Sequence, residues 1–406
     1  MKHNSIFLWR AIFVSLVALF FVVPAASGVS NPIIIGILHS EAYPYAAMMK
    51  NSFEMALKEI NRHGGIKGQS LKLIYADDRG QRNPGEKAVK DLIRNKGAIM
   101  LVGAYQSSNT VYMAGTADKL DRPLLICTAA DDRITQRKWK NIYRLNAPAG
   151  EYTKGLEEFF LKKIRPKSMA LIYENSPYGT GGALRMMWFC REHDIEILAG
   201  IPYHKERAKK AAIGSAYFQR LLAPLKDEPP DVVYMVSYLN DAALLVKEIQ
   251  QLKIKSLLCG GGGGFTHQKF LDKAGEAANH VLTATLWTHQ LRYPGTKDYY
   301  NRYLDKYGVA PDYHGAEAYS ALLVAADALT RSDSFRPESI RDALDRTDMI
   351  TPFGPVKFAS YKQFERQNSL PAQVLQIIDE NLNVSGPKIY QPSILFRPHF
   401  GGAPIK

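Results

Sequence analysis

Ile99-Met100-Leu101-Val102-Gly103-Ala104-Tyr105-Gln106-Ser107-Ser108-Asn109-Thr110 decides the architecture. It begins as a short apolar run, the pattern of a strand buried on both faces. It breaks at Gly103 into a polar loop, after which Val111, Met113, Ala114 and Ala117 start a helical period. Strand, polar loop and helix in that order place Ser107 and Ser108 at the carboxyl end of a parallel strand, beside the free N–H groups of a helix N-terminus. Small anions and polar ligands bind at such points. The competing reading is that the serines only cap the helix.

The same alternation extends in both directions. Upstream, residues 33–38 and 71–75 read as strands. Between them lies a helix with Met49, Phe53, Ala56, Leu57 and Ile60 on one face, stopped by Gly64-Gly65. Asn83-Pro84-Gly85-Glu86 reads as a helix start: Asn83 caps, Pro84 takes the first helical position and Glu86 closes a capping box. Ala88, Val89, Leu92 and Ile93 are the buried face of that helix, and residues 123–127 are the next strand. A second set begins after residues 142–145. It runs as helix 151–164, strand 168–173, a helix from loop 174–179 to about His193, strand 195–199, helix 217–225, strand 232–236, helix 241–252 and strand 257–258. Strands alternating with helices make an α/β fold of doubly wound parallel sheets, here two lobes facing a cleft.

A chain of 406 residues, 46% of them hydrophobic, is long enough for two ordinary domains with full cores. The first residues stand apart. Lys2 and Arg10 precede or open an apolar run over 11–23, followed by Pro24-Ala25-Ala26-Ser27-Gly28, which is the pattern of a secretory signal peptide cut after Ser27 or Gly28. The run is too short to span a bilayer, and no cysteine follows it to carry a lipid, so a soluble exported protein is expected. The formal charge of +13 comes from scattered Lys and Arg. That scatter, with export, argues against nucleic acid. Cys127, Cys190 and Cys259 allow one disulfide at most, and no spacing selects a pair.

Catalytic signatures are missing. There is no Gly-x-Ser-x-Gly elbow, no His-Glu-x-x-His and no phosphate loop, so no enzyme and no cofactor are expected. His267, His280, His289 and His314 lack the local spacing of a metal set. The five glycines from Gly260 to Gly264 read either as a nest of N–H donors for an anion or as a flexible turn, the turn being the favoured reading. Tyr45, Tyr105, Tyr178 and Tyr238 recur at the strand-end loops, where an apolar ring with a polar tip suits a pocket for a small amphiphilic solute.

Over about residues 31–385 the chain resembles the periplasmic solute-binding proteins of the leucine/isoleucine/valine-binding type, which serve ATP-driven importers. The resemblance is carried by Glu59-Ile60-Asn61, Gly64-Gly65-Ile66-Lys67-Gly68, Tyr75-Ala76-Asp77-Asp78, Leu101-Val102-Gly103 with Ser107-Ser108, Pro177-Tyr178-Gly179-Thr180-Gly181, Ala274-Gly275-Glu276-Ala277-Ala278 and Gly354-Pro355-Val356. It implies the type I periplasmic binding protein fold: two doubly wound parallel-sheet lobes joined by a three-crossing hinge, with crossings near Leu145, Thr285 and Pro352. The expected organisation is a signal peptide over 1–28, lobe 1 over 29–145 and 285–352, lobe 2 over 146–284 and 353–385, and a tail over 386–406. Tyr390, Phe396 and Phe400 suggest that the Pro-rich tail packs rather than floats, without saying against what.

The resemblance also implies a site. Ser107 matches a serine that binds a ligand carboxylate, and Tyr45, Tyr178 and Tyr238 match aromatic lining positions. Ala129 and Ala130 fall where backbone groups meet the ligand. Three positions depart from the pattern. Asp131 and Asp132 stand where a threonine usually follows those alanines. Gly263 occupies the place of an acid that pairs with a ligand ammonium. His314, next to Tyr313, replaces an aromatic or apolar lining residue. A buried ammonium needs a partner charge; Gly263 supplies none, and Asp131 would offer one from the opposite lobe only by crowding a ligand carboxylate near Ser107, so a neutral amide, a cation and an anion held by the glycine loop stay open beside an amino acid. The implied role is a monomeric, periplasmic protein that captures a small-molecule ligand, an amino acid or related compound, and docks on the membrane permease of an ABC importer. The alternative is a ligand-sensing module of the same fold acting on a receptor or signalling partner.

Overall fold

The computed structural model describes residues 31–204, 211–378 and 393–396. The leader over 1–28 with its cleavage point, and Tyr390 and Phe400 of the tail, lie outside the described residues.

The first sheet is built on β1 (Ile33–His39), β2 (Leu71–Asp77), β3 (Met100–Gly103), β4 (Leu124–Ile126) and β5 (Ile142–Arg144). They lie in the order β2-β1-β3-β4-β5, all parallel. Helices cover both faces. Met100 and Val102 enter the core formed with Met49, Phe53 and Ala56 of α1 (Ala46–Arg62). Leu101, between them, enters a second core with Val89 and Leu92 of α2 (Arg82–Arg94) and with Val111 and Ala114 of α3 (Ser107–Lys119). Successive side chains of a strand point to opposite faces, so an unbroken apolar run feeds two cores at once.

The second sheet repeats the plan with β6 (Ser168–Glu174), β7 (Glu196–Tyr203), β8 (Val232–Val236), β9 (Leu257–Gly260) and β10 (Leu282–Thr285) in the order β7-β6-β8-β9-β10. Its inner helices include α4 (Pro177–Glu192) and α5 (Leu239–Gln251). After β10 the chain returns to the first lobe, where α6 (Tyr313–Arg331) packs on α1 and β3. A hairpin of β11 (Asp348–Thr351) and β12 (Gly354–Lys357) follows.

The third crossing corrects the expectation. The segment at Pro352 is the hairpin turn, with Thr351 opposite Gly354, and it does not leave the lobe. β13 (Ala359–Tyr361) and β14 (Phe364–Gln367) then extend the first sheet through a parallel pairing of Gln367 with Arg144. The chain reaches the second sheet only at β15 (Gln373–Gln376), antiparallel to β10. Residues 359–367 therefore belong to lobe 1, and the crossing lies over 368–372. In the tail, β16 (Ser393–Phe396) adds to the edge of the second sheet beside β15.

Local differences have local causes. The helix read from Asn83 starts at Arg82, with Gln81 at the cap position and no side-chain cap; Glu86 meets Arg82 at 3.1 Å instead of closing a box. The helix read over 151–164 is a 3₁₀ turn (Ala149–Glu151), an α segment (Lys154–Phe159) and a π segment (Phe160–Ile164). The one read over 217–225 begins earlier and splits into Ala211–Leu222 and Pro224–Asp227, because Pro224 cannot extend the preceding ladder. The three cysteines are buried and free. Gly64-Gly65 does stop α1: both have positive φ, and the Gly65 N–H bonds the Ile60 carbonyl.

Arg144 ties the lobe-1 strand ends to the last crossing. It is fully buried, and its guanidinium donates to Gln367 Oε1 (2.6 Å), the Asp131 carbonyl (2.7 Å) and Thr135 Oγ1 (2.8 Å). Burial pushes its pKa down to about 10, opposed by the charge of Asp132. Arg144→Met should destabilise the protein by on the order of 3 kcal/mol, because buried acceptors are left without donors. Arg144→Lys should recover less than half of that, since an ammonium cannot reproduce the planar fork. Urea titration of the three proteins checks both figures.

Candidate functional site

The geometry of the sheets places the site. In each sheet the order reverses at one point, between β1 and β3 and between β6 and β8. Loops leaving the strands at such a switch diverge to opposite faces and leave a crevice. Tyr45 follows β1 at the head of α1, and Tyr105 follows β3. Tyr178 follows β6 in the first turn of α4, and Tyr238 follows β8 at the head of α5. All four tyrosines thus come from the switch-point loops of the two lobes.

They meet across the cleft. Tyr105 lies 5.5 Å from Tyr45 and 6.4 Å from Tyr238, and Tyr238 lies 5.2 Å from Tyr178, ring centre to ring centre. Tyr43, which the sequence reading did not single out, completes the wall at 5.0 Å from Tyr105 and 6.3 Å from Tyr238. The Tyr45 hydroxyl donates to the Gly263 carbonyl, a bond from lobe 1 to lobe 2. A second cross-lobe bond runs from Thr266 Oγ1 to Asp312 Oδ2 at 3.2 Å. Burial raises the pKa of Tyr105, Tyr178 and Tyr238, so their hydroxyls stay protonated. Outside this wall, a cleft of about 760 Å³ opens between the lobes, bordered by Arg79, Lys247 and Lys273.

Ser107 is the first residue of α3, but it does not cap it. Its side chain makes no cap bond; its Oγ accepts the Ala130 N–H at 3.1 Å. Ser107 and the Ala129-Ala130 loop are thereby held together, all buried. The Ala130 carbonyl in turn accepts the N–H of Ala149, where the chain enters the second lobe. Asp131 is committed: Arg133 grips it through Nε at 3.1 Å and Nη2 at 2.6 Å. His314 lies between two rings, stacked on Tyr45 at 3.8 Å and on Tyr313 at 3.9 Å. Its Nδ1 sits 3.1 Å from Asp312 Oδ1. Burial alone would push the Asp312 pKa up, but His314 beside it holds it below the usual carboxylate value.

The glycine run is close-packed, which corrects the reading of a flexible turn. All five glycines are buried. A Cβ on Gly260 would sit 2.3 Å from the Phe265 ring, on Gly261 2.4 Å from the Tyr234 hydroxyl, and on Gly262 2.8 Å from the Tyr152 ring. On Gly263 it would meet the Tyr178 hydroxyl at 2.8 Å, and on Gly264 the Ser237 carbonyl at 2.2 Å. The loop lets three tyrosines and a neighbouring backbone approach where any side chain would block them. Tyr152, 6.2 Å from Tyr313 and bonded to Asn146 Oδ1 at 2.7 Å, is a second residue that strand-end reasoning missed, because it lies in a crossing. Among the described residues no cluster of three His, Cys, Asp or Glu could hold a metal, and no helix is long and apolar enough to cross a membrane.

Comparisons with known proteins agree on one family. The family described as periplasmic binding protein matches residues 32–380. The Leu/Ile/Val-binding protein homolog 7 of Brucella melitensis is 27% identical over 341 residues, covering 80% of this chain and 83% of the relative. Homolog 8 of Brucella abortus is 26% identical over 338 residues, covering 79% of this chain and 82% of the relative. Among solved structures, a branched-chain amino acid transporter substrate binding protein of Streptococcus pneumoniae, in complex with isoleucine, superposes with a TM-score of 0.76 at 20% identity. It covers 90% of this chain and is itself covered completely (100%). A solute binding protein from R. palustris in complex with benzoate gives 0.76 at 16% identity, with 90% of this chain and 96% of that one covered. At these identities the structures establish the shared fold.

The two ends of the glycine contact series should behave differently. Gly264→Ala drives a Cβ into a backbone carbonyl and should cost about 2 kcal/mol or more, as overpacking does. Gly263→Ala meets only the tip of Tyr178 and should cost less than about 1 kcal/mol, because the far end of a side chain can move. Equilibrium unfolding in urea separates the two.

Proposed function

The chain belongs to the periplasmic binding protein family, and from that premise we propose that it captures a small polar solute between its lobes and delivers it to the permease of an ABC importer. The observation that carries this is the convergence of Tyr45, Tyr105, Tyr178 and Tyr238 from the switch points of both sheets onto one cleft. Such loops bind ligands in open α/β sheets, and a site shared by two lobes couples occupancy to closure. The Tyr45 bond to Gly263 and the Thr266 bond to Asp312 are then closure contacts, made when the lobes meet.

In this reading Ser107 and the Ala129-Ala130 loop form the lobe-1 floor of the site. Tyr178, Tyr238 and the Gly263 loop form the lobe-2 wall, and His314 props Tyr45 against the ligand. Asp131 acts through Arg133 and shapes the floor; it does not contact the solute. The solute is an amino acid or a related compound, in line with the names of the Brucella relatives. The working form is the monomeric mature protein, freed of residues 1–28 and exported to the periplasm.

A thermal-shift screen of residues 29–406 against amino acids, amides, polyamines and small organic acids tests the proposal. A true ligand raises the melting temperature by mass action on the folded state. Ser107→Ala and Tyr238→Ala should each weaken that ligand by about tenfold or more, the loss of one buried hydrogen bond or ring contact. Unchanged affinity in both variants, read by calorimetry, would overturn the site.

A further inference from the structure

The cleft of about 760 Å³ outside the tyrosine wall is a compartment of its own. Of the site residues read from the sequence, Tyr45 and Tyr238 line it; Ser107, Ala130, Gly263 and His314 do not. Lobe 1 contributes the Tyr43 and Tyr105 rings, and Arg79 from the loop after β2. Lobe 2 contributes one face of α5, which carries Leu244 and Lys247, and Lys273 from the helix Gln268–Ala274. The three cations are exposed, and among the described residues none of them is in an ion pair. Asp241 is the one acid on the described lining; it is 8% exposed, and its charge bears on the buried Tyr203. Three cations against one acid leave the lining with two positive charges in excess.

The turn that carries Arg79 is fixed from below. Arg79 has a φ of 53°, in the left-handed region that a side chain other than glycine rarely adopts. Its N–H donates to Asp77 Oδ1 at 2.9 Å, and the Gly80 N–H donates to Asp78 Oδ1 at 2.8 Å. The Glu41 N–H shares Asp77 Oδ1 at 3.1 Å, which ties the loop holding Tyr43 to the loop holding Arg79. A Cβ on Gly80 would meet the Tyr43 ring at 3.3 Å, so the same turn backs that ring. Asp77 and Asp78 each give one oxygen to backbone N–H groups, and neither lines the cleft.

We propose that this outer cleft binds the charged end of an organic oxyanion, a carboxylate or phosphate on an apolar body. Arg79 of lobe 1 and Lys247 and Lys273 of lobe 2 surround the charged group, and the body lies against the Tyr43, Tyr105 and Tyr238 rings. The inference rests on the solute-binding reading and adds where the charged end of the solute lies. A guanidinium pairs with two oxygens of a carboxylate or phosphate at once, and an ammonium adds a point charge. Like charges on facing lobes repel when the lobes meet, and an anion between them removes that cost, so occupancy favours the closed form. A cleft bordered by one sign of charge also speeds capture of the opposite sign. A neutral or cationic solute gains none of this. Aromatic rings and Leu244 supply the apolar contact that a bare inorganic ion cannot use.

The experiment is calorimetry on the mature protein with four probes that share a phenyl body. Phenylpropionate and phenyl phosphate are anions, phenylpropanamide is neutral and phenylpropylamine is a cation. The wild type should bind at least one anion, and the stronger of the two tells carboxylate from phosphate. Raising salt from about 20 mM to about 300 mM should weaken it, because these charges face solvent. The triple variant Arg79→Gln, Lys247→Gln, Lys273→Gln should weaken that anion by about 30-fold, the combined loss of three solvent-facing pairs. Arg79→Lys should lose less than Arg79→Gln, since it keeps the charge. The three side chains are exposed, so the ligand-free melting temperature should stay at the wild-type value in every variant. Full anion affinity in the triple variant, a wild-type preference for the amide or the amine, or no anion binding at all would each overturn the outer-cleft site. The solute-binding reading survives those outcomes where any other solute of the thermal-shift screen raises the melting temperature, and falls where none does.

Discussion

Everything in this molecule follows from parallel strand pairing that reverses direction once in each sheet. A parallel strand needs a crossover helix to return, and those helices cover both faces of the sheet. Where the order turns, between β1 and β3 and between β6 and β8, neighbouring loops part to opposite sides. The crevice left there is bordered by the first turns of two helices. Two such crevices facing each other make a site enclosed by neither lobe alone. Tyr45, Tyr105, Tyr178 and Tyr238 are placed by that constraint, since each stands in the loop or first helical turn that follows one of the four strands flanking a reversal.

Closure then depends on close approach. The glycine run lies where Phe265, Tyr234, Tyr152 and Tyr178 converge, and each missing Cβ is space that an aromatic ring or hydroxyl or a neighbouring carbonyl occupies. Packing of this density transmits a change at one wall to the next. The first lobe is held in register with the hinge by buried polar bonds instead. Arg144 links Asp131, Thr135 and Gln367, and Gln367 Nε2 also donates to the carbonyl of Asn146. A buried guanidinium with several acceptors is costly to disturb, which suits a segment about which two lobes must move without losing alignment.

Much of this was legible in the residues. The run over 99–102 had to be a strand buried on both faces, and its alternate side chains do enter two cores. The four tyrosines were marked by position alone, one after each strand. Less legible was anything that depends on a partner distant in sequence. Gln367 pairs with Arg144, 223 positions earlier, so the last crossing could not be read from residues near Pro352.

The sequence by itself determined the alternation of strand and helix, the two lobes, and the strand-end placement of the tyrosines, because each rests on short-range period and on turn residues. Only the tertiary structure decided which polar groups are satisfied. Glu317 reads as an ordinary polar residue in a helix, with Gly315, Ala316 and Ala318 around it. Its burial and its lack of a hydrogen-bond partner come from α6 being pressed onto α1 and β3. A carboxyl's partners are set by distances across the fold, and no local pattern encodes them.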